Sequence, residues 1–91
     1  TVVLDELAEI ISGNDDVDSE LNYKELVFAI NEFLNTLDTE RHDIFIFRYF
    51  YTESISDIAH RYGKREGNVS MTLNRIRKKL QRYLYERGFK I

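Results

Sequence analysis

The side chains best suited to bind a ligand are cations near the carboxyl end of the chain. Five of them fall within residues 75–82, namely Arg75, Arg77, Lys78, Lys79 and Arg82. Guanidinium and ammonium groups at this density suit phosphate, the sequence-independent part of nucleic-acid binding. Apolar residues recur among them at three- and four-residue spacing, so we predict a helix with its cations on the outer side. The inward stripe of this helix is Val69, Leu73, Ile76, Leu80 and Leu84.

The residues before this helix have the spacing of a helix-turn-helix. Residues 54–80 contain a short helical pattern, a turn with a glycine and then the long basic pattern. Ala59 is small where two helices would cross closely, and Gly63 can adopt the positive φ of a sharp turn. Val69 follows ten residues after Ala59 and would complete the small core between the helices. The sequence therefore points to DNA as the ligand.

The outward side of the basic helix carries side chains that can contact bases. Ser and Asn can hydrogen-bond base edges, Met71 can contact a thymine methyl group, and Glu66 can accept from a cytosine amino group. The predicted base-reading residues are Glu66, Gly67, Ser70, Met71 and Asn74. The predicted phosphate contacts, which set register and affinity, are Arg48, Arg61, Lys64, Arg65, Arg75, Lys78 and Lys79. For each of these residues the alternative is plain solvent exposure.

The net charge of -3 averages two segments of opposite sign. Residues 1–59 hold 14 acidic and 3 basic residues, whereas residues 60–91 hold 10 basic and 2 acidic ones. This division is typical of a basic nucleic-acid-binding element joined to an acidic arm. We also hypothesise that acidic residues 15–20 fold back on the basic helix and weaken DNA binding by the free protein.

The composition argues against several other functions. A chain without Cys has no disulfide and no thiolate metal site. The sequence pairs neither His42 nor His60 with an evident nucleophile, and it contains no Gly-rich phosphate loop. We therefore predict no enzymatic activity and no cofactor. The chain begins without Met, which suggests a piece of a longer protein, although processing could also remove that residue. It has no signal-like or membrane-spanning segment, so we expect a cytoplasmic protein with no membrane partner.

An acidic segment near residue 20 partly matches a calcium-binding loop. Ser19 stands where that loop requires Gly, and the first ligand position holds Asn instead of Asp. A solvated acidic loop is therefore favoured, and no metal is predicted. The matching positions are Asn14, Asp16, Asp18 and Glu25.

The elements that must position the DNA contacts are all helical, and we predict an all-α fold of four to five helices with the helix-turn-helix at its carboxyl end. Residues 1–20 are predicted to be an acidic arm and linker, with an amphipathic helix over residues 2–12, and residues 21–91 the DNA-binding domain. Asn22 is the predicted N-cap of the next helix, whose apolar stripe includes Val27. Later helices would be capped by Asp38 or Thr39, and by Ser54 with Asp57 three residues on.

Residues 44–51 form an almost wholly apolar helix, interrupted only by Arg48. We predict that Ile44, Phe47 and Tyr51 face the domain's own core and that the other side requires a partner. A strand is the alternative for this segment, but it would have nothing to pair with.

At residues 34–84 the chain resembles region 4 of bacterial sigma-70-type transcription initiation factors, particularly the small, ECF-like two-domain ones. Lys64 and Arg65 depart from the family's pattern, which usually has an apolar residue and a Ser or Thr cap at these positions. The matching elements are Leu34-x-x-Leu37, Arg41, Phe45-x-Phe47-Arg48-Tyr49-Phe50, Asp57-Ile58-Ala59, Gly63, Gly67-Asn68-Val69 and Arg75-Ile76-Arg77-Lys78-Lys79-Leu80.

The resemblance implies a promoter-recognition domain that reads the minus-35 element in double-stranded DNA and docks on the β flap of the RNA polymerase core. Phe45, Tyr49 and Phe50 would form the docking face, and an anti-sigma factor is a further candidate partner. The acidic arm would resemble the connector to the promoter-melting domain, which this chain lacks. The alternatives are the DNA-binding domain of LuxR-type response regulators, whose members dimerise on inverted repeats, and a protein-binding helical module.

Overall fold

The computed structural model describes residues 20–89, which form four consecutive helices. They are α1 (Glu20–Leu34), α2 (Thr39–Tyr49), α3 (Ile55–Tyr62) and α4 (Glu66–Glu86). No strand occurs within residues 20–89, so the all-α prediction is confirmed and the strand alternative for residues 44–51 is wrong. The predicted helical arm over residues 2–12 lies outside the described residues, as do Asn14, Asp16 and Asp18.

Two of the three predicted N-caps are confirmed. The Asp38 carboxylate accepts the backbone N–H of Arg41 at 2.9 Å and begins α2. The Ser54 hydroxyl accepts the backbone N–H of Asp57 at 3.0 Å and begins α3. Asn22, in contrast, lies inside α1, which already includes Glu20. The N-cap prediction there is wrong because a favourable capping residue does not fix the start of a helix when the residues before it can also be helical.

α4 contacts all three other helices and supplies the centre of the core. Its predicted inward residues, from Val69 to Leu84, are all buried. α1 packs against the carboxyl half of α4, where the rings of Phe33 and Tyr83 lie 5.4 Å apart. Val27 was predicted to belong to the buried stripe of α1 but is largely exposed, and Ala29 is buried instead. The core residues are Leu26, Ala29, Phe33, Leu34, Ile44, Phe45, Tyr49, Ile58, Ala59, Val69, Leu73, Ile76, Leu80 and Leu84.

The buried face of α2 differs from the predicted one. Ile44 is buried as expected, but Phe45 and Tyr49 share the core with it, whereas Phe47 is only partly buried. Tyr51 lies beyond the end of α2 and is exposed. The prediction failed because a helix that is apolar on nearly every side has no periodic signal to show which side is buried.

A left-handed glycine joins α3 to α4, as predicted. Gly63 has φ 62° and ψ 34°, and its N–H donates to the carbonyl of His60 at 3.3 Å. The N–H of Lys64 donates to the carbonyl of Ala59 at 2.9 Å, which completes a Schellman motif. Ala59 and Val69 are both buried where α3 meets α4, as the spacing predicts. The turn and the small side chain together set the path from one helix to the next.

Two glycine substitutions separate the effect of backbone conformation from that of space. A Cβ added at Gly63 or at Gly67 would meet no atom within 4 Å, but only Gly63 has positive φ. We expect Gly63→Ala to lower the free energy of unfolding by about 1 kcal/mol, because Ala is strained in the left-handed region. Gly67→Ala is the matched control and should raise it by up to about 0.5–1 kcal/mol, because Gly67 is helical. Urea denaturation measures both, and equal effects would contradict the assigned turn.

Candidate nucleic-acid interface

The predicted base-reading residues all lie on the surface of α4. Successive residues of a helix are about 100° apart, so Gly67, Met71 and Asn74 project opposite the stripe that contains Val69 and Leu73. Met71, a large apolar side chain, is 55 % exposed. The other two members, Glu66 and Ser70, are exposed on one flank of this surface. The structure thus brings all five together along the amino-terminal half of one helix.

α4 begins without a side-chain cap. Its N-cap residue is Arg65, which has φ -79° and ψ 149° and makes no side-chain capping hydrogen bond. The Arg65 carbonyl accepts the N–H groups of Asn68 and Val69 at 3.0 and 3.2 Å, so the helix starts correctly without that hydrogen bond. Arg65 itself is exposed. α4 therefore begins at Glu66 without the hydrogen bond that a Ser or Thr cap would supply.

The predicted phosphate contacts on α4 are exposed and available. Arg75, Lys78 and Lys79 are all at the surface, and none of them pairs with an acidic side chain of the described residues. They flank the surface around Met71 and Asn74 on the same helix. This arrangement places cations beside candidate base-reading groups, as a helix in a DNA groove requires.

Two further predicted phosphate contacts are exposed in part but already have partners. The Arg61 guanidinium pairs with the Glu53 carboxylate and lies 4.1 Å from the centre of the Phe47 ring. Lys64 Nζ lies 2.7 Å from a carboxylate oxygen of Glu40 in α2. Such surface pairs contribute at most about 1 kcal/mol, so a phosphate could replace either carboxylate.

Arg48 is a correction to the predicted DNA contacts. The residue is only 6 % exposed, and its Nη1 donates to the backbone carbonyl of Glu53 at 2.8 Å. The guanidinium therefore ties the end of α2 to the loop that leads into α3 and cannot reach a phosphate in this arrangement. The prediction failed because an Arg within an apolar helix can either extend into solvent or donate to a buried loop carbonyl. Only the packing of the helices decides between these two positions.

The predicted docking face also requires correction. Phe45 is 1 % exposed and Tyr49 is buried beside it, with ring centres 4.7 Å apart. The Tyr49 hydroxyl accepts a hydrogen bond from Arg77 of α4 at 2.7 Å, a contact that the sequence analysis did not anticipate. Of the three predicted docking residues only Phe50 is exposed, at 64 %, and the neighbouring Tyr51 is exposed as well. Within this segment the exposed aromatic side chains therefore lie at the end of α2.

Two side chains, Asp38 at the start of α2 and Tyr62 in α3, have pKa values shifted by their surroundings. Backbone and side-chain hydrogen bonds from Arg41, with its positive charge, hold the pKa of the Asp38 carboxyl below its ordinary value. Partial burial and nearby acidic residues raise the pKa of the Tyr62 hydroxyl. No group of His, Asp and Glu side chains within residues 20–89 is arranged to hold a metal ion.

These features define a class of protein. A short capped helix, a left-handed glycine turn and a longer helix with a polar, cationic outer surface form a helix-turn-helix DNA-binding domain. No helix within the described part of the chain is both long and apolar enough to cross a membrane.

Comparison with known families identifies the domain further. The family "Sigma-70, region 4" matches residues 28–80, which include all of α2 and α3 and most of α4. The chain belongs to this family of non-enzymatic DNA-binding domains, which have a role in promoter recognition by sigma factors. The match decides against the LuxR-type alternative. No curated protein and no solved structure matches the chain significantly.

Arg48 and Lys78 should differ in which property they control. Arg48→Met leaves the Glu53 carbonyl without its donor, so we expect it to lower the free energy of unfolding by about 1–3 kcal/mol. Because Arg48 is buried, the salt dependence of DNA binding by the folded variant should not change. Lys78→Ala should leave stability almost unchanged and reduce the slope of log K against log salt by about 1. Chemical denaturation and DNA titrations at several salt concentrations test both, and a reduced slope for Arg48→Met would refute the structural role.

Proposed function

We propose that this chain is the promoter-recognition domain of a sigma factor and that α4 reads the minus-35 element in the major groove of double-stranded DNA. The observation that carries the proposal is the two-sided character of α4: one stripe is fully buried, and the opposite surface combines polar groups, an exposed Met and cations that pair with no acidic side chain within residues 20–89. The proposed domain comprises residues 21–91, because α1, which already includes Glu20, packs on α4. The residues before it are proposed to be an acidic arm and linker. The small ECF-like subtype is the one that the resemblance favours.

Each base-reading residue has a preferred target. The Asn74 amide suits the N6 and N7 positions of adenine, and the Met71 side chain suits a thymine methyl group. Glu66 can accept from a cytosine amino group, whereas the Ser70 hydroxyl suits several bases. Gly67 has no side chain and lets the backbone of α4 approach the base pairs. The set favours an element that contains A·T pairs.

Phosphate contacts would hold α4 in register. Arg75, Lys78 and Lys79 supply charge along the helix without having to break an ion pair. Arg61 and Lys64, near the turn between α3 and α4, could exchange their surface carboxylates for phosphates of the adjacent backbone. Helix-turn-helix domains use the first helix of the motif in this position, where it crosses the DNA backbone.

Docking on the RNA polymerase core is the second part of the proposal. The exposed rings of Phe50 and Tyr51 form an apolar surface at the end of α2, next to the partly buried Phe47. Aromatic side chains exposed in this way are enriched at protein interfaces. We assign this surface, in place of Phe45 and Tyr49, to the contact with the β flap.

Selection of bound duplexes from a random DNA pool tests the DNA-reading function. We expect one asymmetric motif, because a single domain has one recognition helix. Asn74→Ala should lose an adenine preference worth about 1–3 kcal/mol at one position of that motif. Gln81→Ala, a polar change at an exposed position further along α4, is the control and should leave the motif intact. An inverted repeat would contradict the proposal. So would the absence of enrichment both for the domain alone and in the presence of polymerase core.

The docking surface can be tested separately from DNA binding. Phe50→Ser should weaken binding of the domain to RNA polymerase core by about tenfold or more, since a buried aromatic contact contributes over 1 kcal/mol. Phe28→Ser is the matched control, because Phe28 is 62 % exposed and lies on α1. Fluorescence anisotropy with labelled domain measures core binding, and DNA titration should show no change for either variant. Equal losses for Phe50 and Phe28 would exclude a specific surface at Phe50.

A further inference from the structure

We propose that Arg65 reads a guanine at one end of the promoter element, where its guanidinium donates two hydrogen bonds to O6 and N7. This role differs from the phosphate contact that the sequence suggests for the same residue. The inference rests on the proposed function, because it requires α4 to lie in the major groove.

The position of Arg65 is the first reason. The residue immediately precedes Glu66, the first residue of α4, and the amino-terminal residues of a recognition helix are the ones that contact base edges. Gly67 lies two residues later, and the space where its Cβ would be is open. No atom within residues 20–89 crowds that position, so the start of the helix can approach base pairs closely, and Arg65 is exposed at the same end.

The second reason is that Arg65 is not engaged elsewhere. Near the turn, Arg61 is held by Glu53 and Phe47, and Lys64 is held by Glu40. Arg65 is exposed, and among residues 20–89 no side chain forms an ion pair or hydrogen bond with it. Of these three cations beside the start of α4, it alone can make a new contact without giving up an old one.

The third reason is that Arg65 is unfavourable for the helix itself. The side chain of an N-cap residue normally accepts a backbone N–H, but the Arg side chain has no acceptor, and no side-chain capping hydrogen bond is present. Its positive charge also lies at the positive end of the helix dipole. Both effects favour Ser, Thr or Asp at this position. Residues that break a local rule without a structural gain are expected at functional sites.

Guanine and phosphate contacts make different demands on the side chain. A guanine edge presents two acceptors that match the planar fork of a guanidinium, whereas a phosphate can be bound by a point charge. Lys should therefore replace Arg65 fully at a phosphate, whereas at a guanine it can donate to O6 and N7 but lacks the planar match of the guanidinium. A base contact affects one position of the motif, whereas a phosphate contact affects all sequences alike.

Three variants distinguish these roles: Arg65→Ser, Arg65→Lys and the control Arg75→Ser. Selection from a random duplex pool gives the motif of each, and titrations at several salt concentrations give the slope. We expect Arg65→Ser to lose a guanine preference of about tenfold or more at one terminal position of the motif and to keep the rest. Arg65→Lys should lose part of the same preference, because the planar fork of the guanidinium is lost. Arg75→Ser should weaken binding to all duplexes and reduce the salt slope by about 1.

Folding does not confuse the result, because Arg65→Ser supplies the missing cap and should melt at or above the temperature of the unchanged chain. If Arg65→Ser keeps the whole motif, weakens all duplexes equally and is rescued by Lys, Arg65 contacts phosphate and the inference is wrong. If the unchanged chain selects no motif with or without polymerase core, the proposed function fails and the inference fails with it. The two failures are therefore distinguishable.

Discussion

The burial of one stripe of α4 is the constraint on which the rest of the structure depends. Val69, Leu73, Ile76, Leu80 and Leu84 are covered by the other three helices, so the rotation of α4 about its own axis is fixed. Once that rotation is fixed, the opposite surface of α4 must face solvent or a ligand. The hydrophobic effect, which carries no information about DNA, thereby decides which side chains are presented to it.

The turn between α3 and α4 converts this packing into a rigid motif. Gly63 provides a conformation that other residues adopt only at a cost, and Ala59 lets the helices approach where Val69 is buried. Both functions follow from the smallest side chains in the segment. For this reason the positions of the turn and of the helix crossing could be predicted from the sequence. A turn glycine followed and preceded by helical patterns, together with a small residue at the crossing, fits few other structures.

The departures from the prediction share one physical origin. α2 is apolar on nearly every side, so its sequence shows that it is buried without showing on which side. In the structure Phe45 and Tyr49 enter the core, Arg48 is buried against a loop carbonyl, and Phe50 with Tyr51 remain exposed. Arg65 illustrates a different case, in which α4 begins although its N-cap residue makes no side-chain capping hydrogen bond. Packing therefore determined which side of α2 is buried, and it is compatible with the missing side-chain cap at Arg65.

The sequence by itself determined the helical class, the caps at Asp38 and Ser54, the glycine turn and the outward surface of α4, because each depends on residues close together in the chain. The tertiary structure alone decided which side of α2 is buried and which cations remain available. Glu40 in α2 holds Lys64, and Glu53 in the loop before α3 holds Arg61. Such contacts depend on how the helices meet in space, and no local pattern of residues encodes that.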